Sequence, residues 1–325
     1  MSNKKRSAHL LDKDLKAIVE LIPDSEVNMD NYQFVRQTSN DQFDTRIPDK
    51  LHVHMEEKYI PGPDGAPDVR VLIFKPENAK PNRPAYLDIH GGGFFLGIPE
   101  MQNPENALIA SELSCTVVSV DYRLAPETRY PGAIEDCYAA LKWIHDNAEE
   151  LEIDRSRIAI GGSSAGGGLT AALAILARDR GEVKVAFQNL IVPMLDDRTG
   201  IKEPHPYAGE YVFTRQNDYF GWSALLGHEP GIDGVSLYAS PARAEDLSGL
   251  PPTFICIGAL DLFIDEGIEY AQRLIRAGVP TEFHVYPGAP HVIPSAIRDA
   301  RVSKALIRDM LNANNRAFYD GIEEK

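Results

Sequence analysis

Short apolar runs and longer helix-patterned runs take turns along most of this chain, and that rhythm leaves few folds open. Residues 85–90, 115–122, 157–162, 185–192, 252–258 and 281–286 read as strands, 85–90 as a short buried one and 115–122 as an apolar one. Residues 103–114, 132–148, 165–180, 264–277 and 294–312 read as the helices between and after them. Strands without polar alternation are covered on both faces, and strand–helix–strand order makes neighbours parallel. The expected fold class is therefore α/β, a mostly parallel central sheet with helices on both faces. Residues 53–59 and 69–76 precede this rhythm, separated by a Pro/Gly turn at 61–67. They are expected as strands that could form an antiparallel edge.

Two segments break the pattern. Residues 8–24 place Leu11, Leu15, Ile18, Val19 and Ile22 on one helical face. Such a helix either covers the main domain as part of a lid or packs at its periphery. Residues 195–250 are rich in Pro, Gly and aromatics, with 215–226 as an expected helix. A long insertion between a strand and the next strand–helix unit commonly serves as an active-site cover.

The carboxyl edge of the sheet carries the chemistry. Gly162-Ser163-Ser164-Ala165-Gly166 follows a strand and opens a helix. In that context a G-x-S-x-G sequence lifts a nucleophile clear of the sheet, beside free N–H groups and the positive end of a helix. Register selects Ser164, which has glycine two residues to either side, over Ser163, which does not. His90-Gly91-Gly92-Gly93-Phe94 also follows a strand directly. Consecutive glycines expose backbone N–H groups, the donors that acyl transfer needs where an oxyanion develops. His90 itself is expected to be a structural hydrogen-bonder.

An acid and a histidine should follow the serine, each just beyond a late strand. Asp261 and His291 satisfy this, after 252–258 and 281–286 respectively. Asp196 and Asp197 are rivals for the acid. His284 lies inside a strand, and His205 and His228 lie in the insertion. Phe94, Phe95, Tyr211, Phe213, Phe220 and Trp222 are candidate walls of an acyl or alcohol pocket, or alternatively the core of a cap.

Composition narrows the partners. Lys plus Arg number 33 against 48 for Asp plus Glu, a net charge of −15, which disfavours nucleic acid, anionic lipid and polyanionic substrates. A neutral ester whose carboxylate product is repelled fits better. Cys115, Cys137 and Cys256 have no metal-ligand or redox spacing and read as buried small residues. With no apolar run after the basic start and no stretch of membrane-span length, the expectation is a cytoplasmic chain without a membrane partner, for which a homodimer is compatible.

The glycine motif at 90–94, Asp121-Tyr122-Arg123-Leu124-Ala125-Pro126-Glu127, the serine motif at 162–167 and Asp261-Leu262-Phe263-Ile264-Asp265-Glu266-Gly267 together resemble the hormone-sensitive-lipase family, the bacterial esterase and lipase group of α/β-hydrolases. The resemblance runs from about residue 53 to 315. It implies the α/β-hydrolase fold and carboxylic ester hydrolysis by Ser164, His291 and Asp261, with no metal or cofactor. It places oxyanion donors at the backbone of Gly92, Gly93 and Ala165, and makes the tyrosine motif a scaffold element. It also implies a cap formed by residues 1–50 and 195–225 over a core of 51–194 and 226–325. A cap of this kind would favour short- to medium-chain acyl groups. Ser163, Leu262 and the Val292-Ile293 pair after His291 depart from the family pattern, in which Asp, Pro and Gly-Phe are usual. Two other readings use the same scaffold: a small-molecule receptor without turnover, and an amide, lactone or carbamate hydrolase.

Overall fold

The computed structural model describes residues 5–19, 26–291 and 298–320. These form an eight-stranded sheet in the order β1-β2-β4-β3-β5-β6-β7-β8. The strands are β1 (Val53–Ile60), β2 (Val69–Pro76), β3 (Arg83–Ile89), β4 (Thr116–Asp121), β5 (Ile153–Ser163), β6 (Phe187–Ile191), β7 (Thr253–Gly258) and β8 (Thr281–Tyr286). β2 pairs antiparallel with both β1 and β4, and every other pairing is parallel. The antiparallel edge follows from the short 61–68 turn, which is too brief for a helical crossover. β1 is exposed or half-buried at every residue but its last, whereas every residue of β3 is buried. One is an edge strand and the other is central.

The helices are α1 (Lys13–Val19), α2 (Tyr32–Asn40), α3 (Asn103–Glu112), α4 (Gly132–Asp146), α5 (Ala165–Arg180), α6 (Arg215–Leu226), α7 (Ile264–Arg276) and α8 (Arg301–Tyr319). Period-two alternation along the strands divides the apolar residues between two cores. Val71, Leu87, Ile89, Ile160 and Ile257 pack with α4, α5 and α7 on one face. Leu72, Phe74, Tyr86, Ala159 and Phe254 pack with α1, α3 and α8 on the other. The three cysteines are buried and unpaired. Among the described residues no helix is long and apolar enough to cross a membrane.

Two expected helices differ from the structure. The single helix expected over 8–24 is a 3₁₀ turn at Arg6–His9, a break, and then α1. The Asp12 N–H donates to the Gly288 carbonyl at 3.0 Å rather than into a helical ladder. Ile22 lies outside the described residues. Leu15 and Val19 are buried, and Asp12 just ahead of α1 ties this segment to the turn that leads to His291. The last helix was expected over 294–312; 294–297 lie outside the described residues, and α8 begins at Arg301 and runs on to Tyr319. Its later part contains three asparagines, poor helix formers. Burial of Phe318 at 1% exposure, and of Asn314, whose amide donates to the Met310 carbonyl, overrides that propensity.

Glu105, in the first turn of α3, is placed where a helix favours a carboxylate. Its side chain is only 15% exposed, however, and burial pushes its carboxyl up from 4.5 to about 7, although Arg298 and its own backbone N–H act in the opposite direction. An acid whose folded value is raised stabilises the fold below its unfolded value, and that contribution is lost as pH rises through the folded one. The loss across this window is at most about 3 kcal/mol. Thermal melts should therefore show Glu105→Gln raising Tm relative to the parent at pH 8 but not at pH 5. An equal shift at both pH values would contradict this.

Candidate active site

β5 ends at Ser163, and α5 begins at Ala165. Ser164 between them has φ 55° and ψ −121°, a left-handed conformation that a non-glycine residue holds only when its surroundings over-determine it. Here its N–H donates to Ile191 at 2.9 Å, and its carbonyl accepts from Met194 and Gly168, both at 3.0 Å. The turn is so tight that a Cβ on Gly166 would lie 2.0 Å from the Ile89 carbonyl oxygen. Glycine at that position is a steric requirement.

Three side chains meet at this turn. His291 Nε2 is 2.9 Å from Ser164 Oγ, and His291 Nδ1 is 2.8 Å from Asp261 Oδ2. The second oxygen of Asp261 accepts the Phe263 N–H at 3.0 Å. Asp261 is fully buried, and Ser164 and His291 are 3% and 5% exposed. Each stands past the carboxyl end of its strand. The 259–261 and 287–290 turns are stitched together by Ala259 N–H to Tyr286 and Leu260 N–H to Ala289, both 2.9 Å. Val292 and Ile293 lie outside the described residues.

The other candidates lie elsewhere. Asp196 pairs with Arg198 and Lys202 at 2.7 and 2.8 Å, and Asp197 with Arg243 at 2.6 Å. His284 bonds Glu282 at 2.8 Å, and His205 accepts from the Tyr207 and Ala208 N–H groups. His228 is exposed. The imidazole of His90 is fully buried, bonded to the Gly91 carbonyl at 2.8 Å and stacked on Tyr122 at 4.3 Å. Burial lowers its pKa. Tyr122 Oη donates to the His90 carbonyl at 2.9 Å, so the tyrosine motif braces the glycine loop from below.

Gly92 has φ +122°, and a Cβ there would lie 1.9 Å from the Leu96 carbonyl oxygen. Its own carbonyl is turned back to accept from the Phe95 and Leu96 N–H groups at 3.1 and 2.9 Å. Ala165, as the first residue of α5, has an N–H with no partner inside the helix. Across from these donors the six candidate aromatics separate. Phe94 packs on Trp222 and Phe95 on Phe220, each pair at 5.0 Å, and all four are buried, as is Tyr211. Phe213 is half-buried, 5.5 Å from the His291 ring, and within 3.3 Å of where a Cβ on Gly93 would stand.

Sequence reasoning missed two contributors. Phe263 stands edge-on to His291 at 5.2 Å, and only its position two residues after Asp261 could have marked it. Arg36 on α2 donates to the Phe95 and Ala125 carbonyls at 2.5 and 2.8 Å and pairs with Glu127 at 2.9 Å, clamping the glycine loop. The N-terminal segment also meets the insertion. Glu210 accepts from Ser7 and Arg6, Asn217 accepts the Val27 N–H, and Tyr32 packs on Phe220. Among the described residues no cluster of His, Cys, Asp or Glu is arranged to hold a metal ion.

Comparison with known proteins places this chain among relatives. The family described as alpha/beta hydrolase fold matches residues 86–295. Carboxylesterase NlhH of Mycobacterium tuberculosis is 33% identical over 319 residues, covering 93% of this chain and 97% of its own. An arylesterase of Saccharolobus solfataricus is 32% identical over 294 residues, covering 88% of this chain and 92% of its own. Among solved structures, a bacterial heroin esterase superposes with a TM-score of 0.88 at 41% identity, over 96% of this chain and 99% of its own.

Proposed function

The chain belongs to the esterase and lipase type of the α/β-hydrolase family, and from that premise we propose that it hydrolyses carboxylic esters of small molecules through an acyl-enzyme on Ser164. The hydrogen-bonded line from Ser164 Oγ through His291 to Asp261 is the observation that carries this reading.

In this mechanism Ser164 Oγ attacks the ester carbonyl as His291 Nε2 accepts its proton. Asp261, an acceptor only, holds the proton on Nδ1 and balances the imidazolium that forms. The backbone N–H groups of Gly92, Gly93 and Ala165 receive the oxyanion; one such donor is worth about 3–4 kcal/mol in other hydrolases. His291 then protonates the departing alcohol. Water repeats the sequence on the acyl-enzyme, releasing the acid and restoring Ser164. No step calls for a metal or cofactor.

The N-terminal segment and the 195–225 insertion act together as a cap on this edge. Phe213, half-buried against His291, is the residue this reading assigns to limiting the length of the acyl group. A panel of p-nitrophenyl esters tests both the activity and the chain-length limit. Turnover should be highest for acyl chains of about two to eight carbons and fall by about tenfold or more for longer ones, since each misfit methylene costs about 1–3 kcal/mol. Phe213→Ala should shift the optimum toward longer chains. Activity that rises steadily to long-chain esters, or no hydrolysis of any ester, would contradict the reading.

A further inference from the structure

Immediately before the nucleophile, the buried Ser163 hydroxyl donates to Gln102 Oε1 at 2.9 Å. The Gln102 amide nitrogen donates in turn to Asp88 Oδ1 at 2.5 Å. The other Asp88 oxygen accepts from Ser119 Oγ at 2.7 Å and from the Asn106 amide at 2.9 Å. All five side chains are buried. The arrangement follows from register: Asp88 stands opposite Ser119 on β4 and Gly161 on β5, so Asp88, Ser119 and Ser163 share the sheet face that α3 covers. One carboxylate thus joins β3, β4, the end of β5 and the start of α3.

What those elements lead to matters more than the stability they share. β3 runs through Asp88 straight into the glycine loop, and β5 runs through Ser163 into Ser164. The two segments touch: a Cβ on Gly91 would lie 2.9 Å from the Ser163 carbonyl oxygen and 3.3 Å from Ser164 Cβ. The tie between Asp88 and Ser163 thus lies directly beneath this contact. Burial raises the Asp88 carboxyl above its ordinary value, and hydrogen bonds from Asn106, Gln102 and Ser119 pull it back. A group so costly to bury must be held by all its partners.

We propose that Asp88, acting through Gln102 and Ser163, is a positioning residue that fixes the distance between the oxyanion loop and the nucleophile. This rests on Ser164 being that nucleophile. Preorganised donors lose their effect steeply when displaced, so slack in this tie slows acylation without touching the substrate pocket.

Ser163→Ala and Gln102→Leu test it, the first removing one oxygen with little risk to folding. Active sites are counted by fluorophosphonate titration, and p-nitrophenyl butyrate turnover is expressed per titrated site. Each variant should lose about ten- to hundredfold in kcat with KM within about twofold, and the double variant should be no worse than the poorer single, because both break one chain. Full kcat per titrated site in Ser163→Ala, or a change confined to KM or Tm, would overturn the proposal. So would independent, additive losses. Failure of the nucleophile assignment is told apart because the parent would then keep its turnover while Ser164→Ala matched it.

Discussion

Ser164→Ala is expected to lose about 10⁴-fold or more in turnover of a short p-nitrophenyl ester, equivalent to roughly 5.5 kcal/mol or more of transition-state stabilisation. The change removes only the Oγ that stands 2.9 Å from His291 Nε2. Alanine keeps the Cβ, so the left-handed strain at φ 55° is unchanged, and the backbone bonds to Ile191, Met194 and Gly168 remain. The fold should persist with a near-parental melt. What survives is the contribution of the oxyanion donors and of binding, so a trace of activity above water is compatible with the mechanism. Turnover within about tenfold of the parent is not, because no second nucleophile in the site could supply it at that rate.

A comparable loss, about 10⁴-fold in kcat, is expected of Asp261→Asn, for a different reason. The Asp261 carboxylate has two fixed duties: Oδ1 accepts the Phe263 N–H, and Oδ2 accepts His291 Nδ1–H. An asparagine amide has one oxygen, which the Phe263 N–H claims. Its NH₂ then faces Nδ1 and forces the proton to the other ring nitrogen. His291 would present an N–H to Ser164 in place of a lone pair and could not act as base. The substitution is isosteric in a fully buried position, so shape is preserved while the tautomer is wrong. Measuring kcat and Tm together separates the two effects. A kcat within about tenfold of the parent would mean that Asp261 only shapes the loop.

Much of the framework is legible in the sequence because it is written in local pattern. α5, α6 and β8 occupy the spans expected for them from the strand–helix order. Ser164, Asp261 and His291 could each be picked out by standing just past a strand, and the structure brings all three within hydrogen-bonding distance. The features that escaped are made by contacts between distant segments. The break ahead of α1 depends on the Gly288 carbonyl, some 276 residues away from Asp12. The clamp of Arg36 on Phe95 joins α2 to a loop with which it shares no motif. Asp88, Gln102 and Ser163 look unremarkable singly, and only sheet register makes them neighbours. Phe213 could not be told from core aromatics by sequence, because its distinction is a half-exposed ring beside His291.

Reaction with a fluorophosphonate, followed by mass mapping of the adduct, interrogates the nucleophile without assuming a substrate. One phosphonyl group per chain is expected, on the peptide carrying Ser164, and none after Ser164→Ala. An adduct on Ser163 or any other residue, or an esterase-active chain that takes up no label, would contradict it.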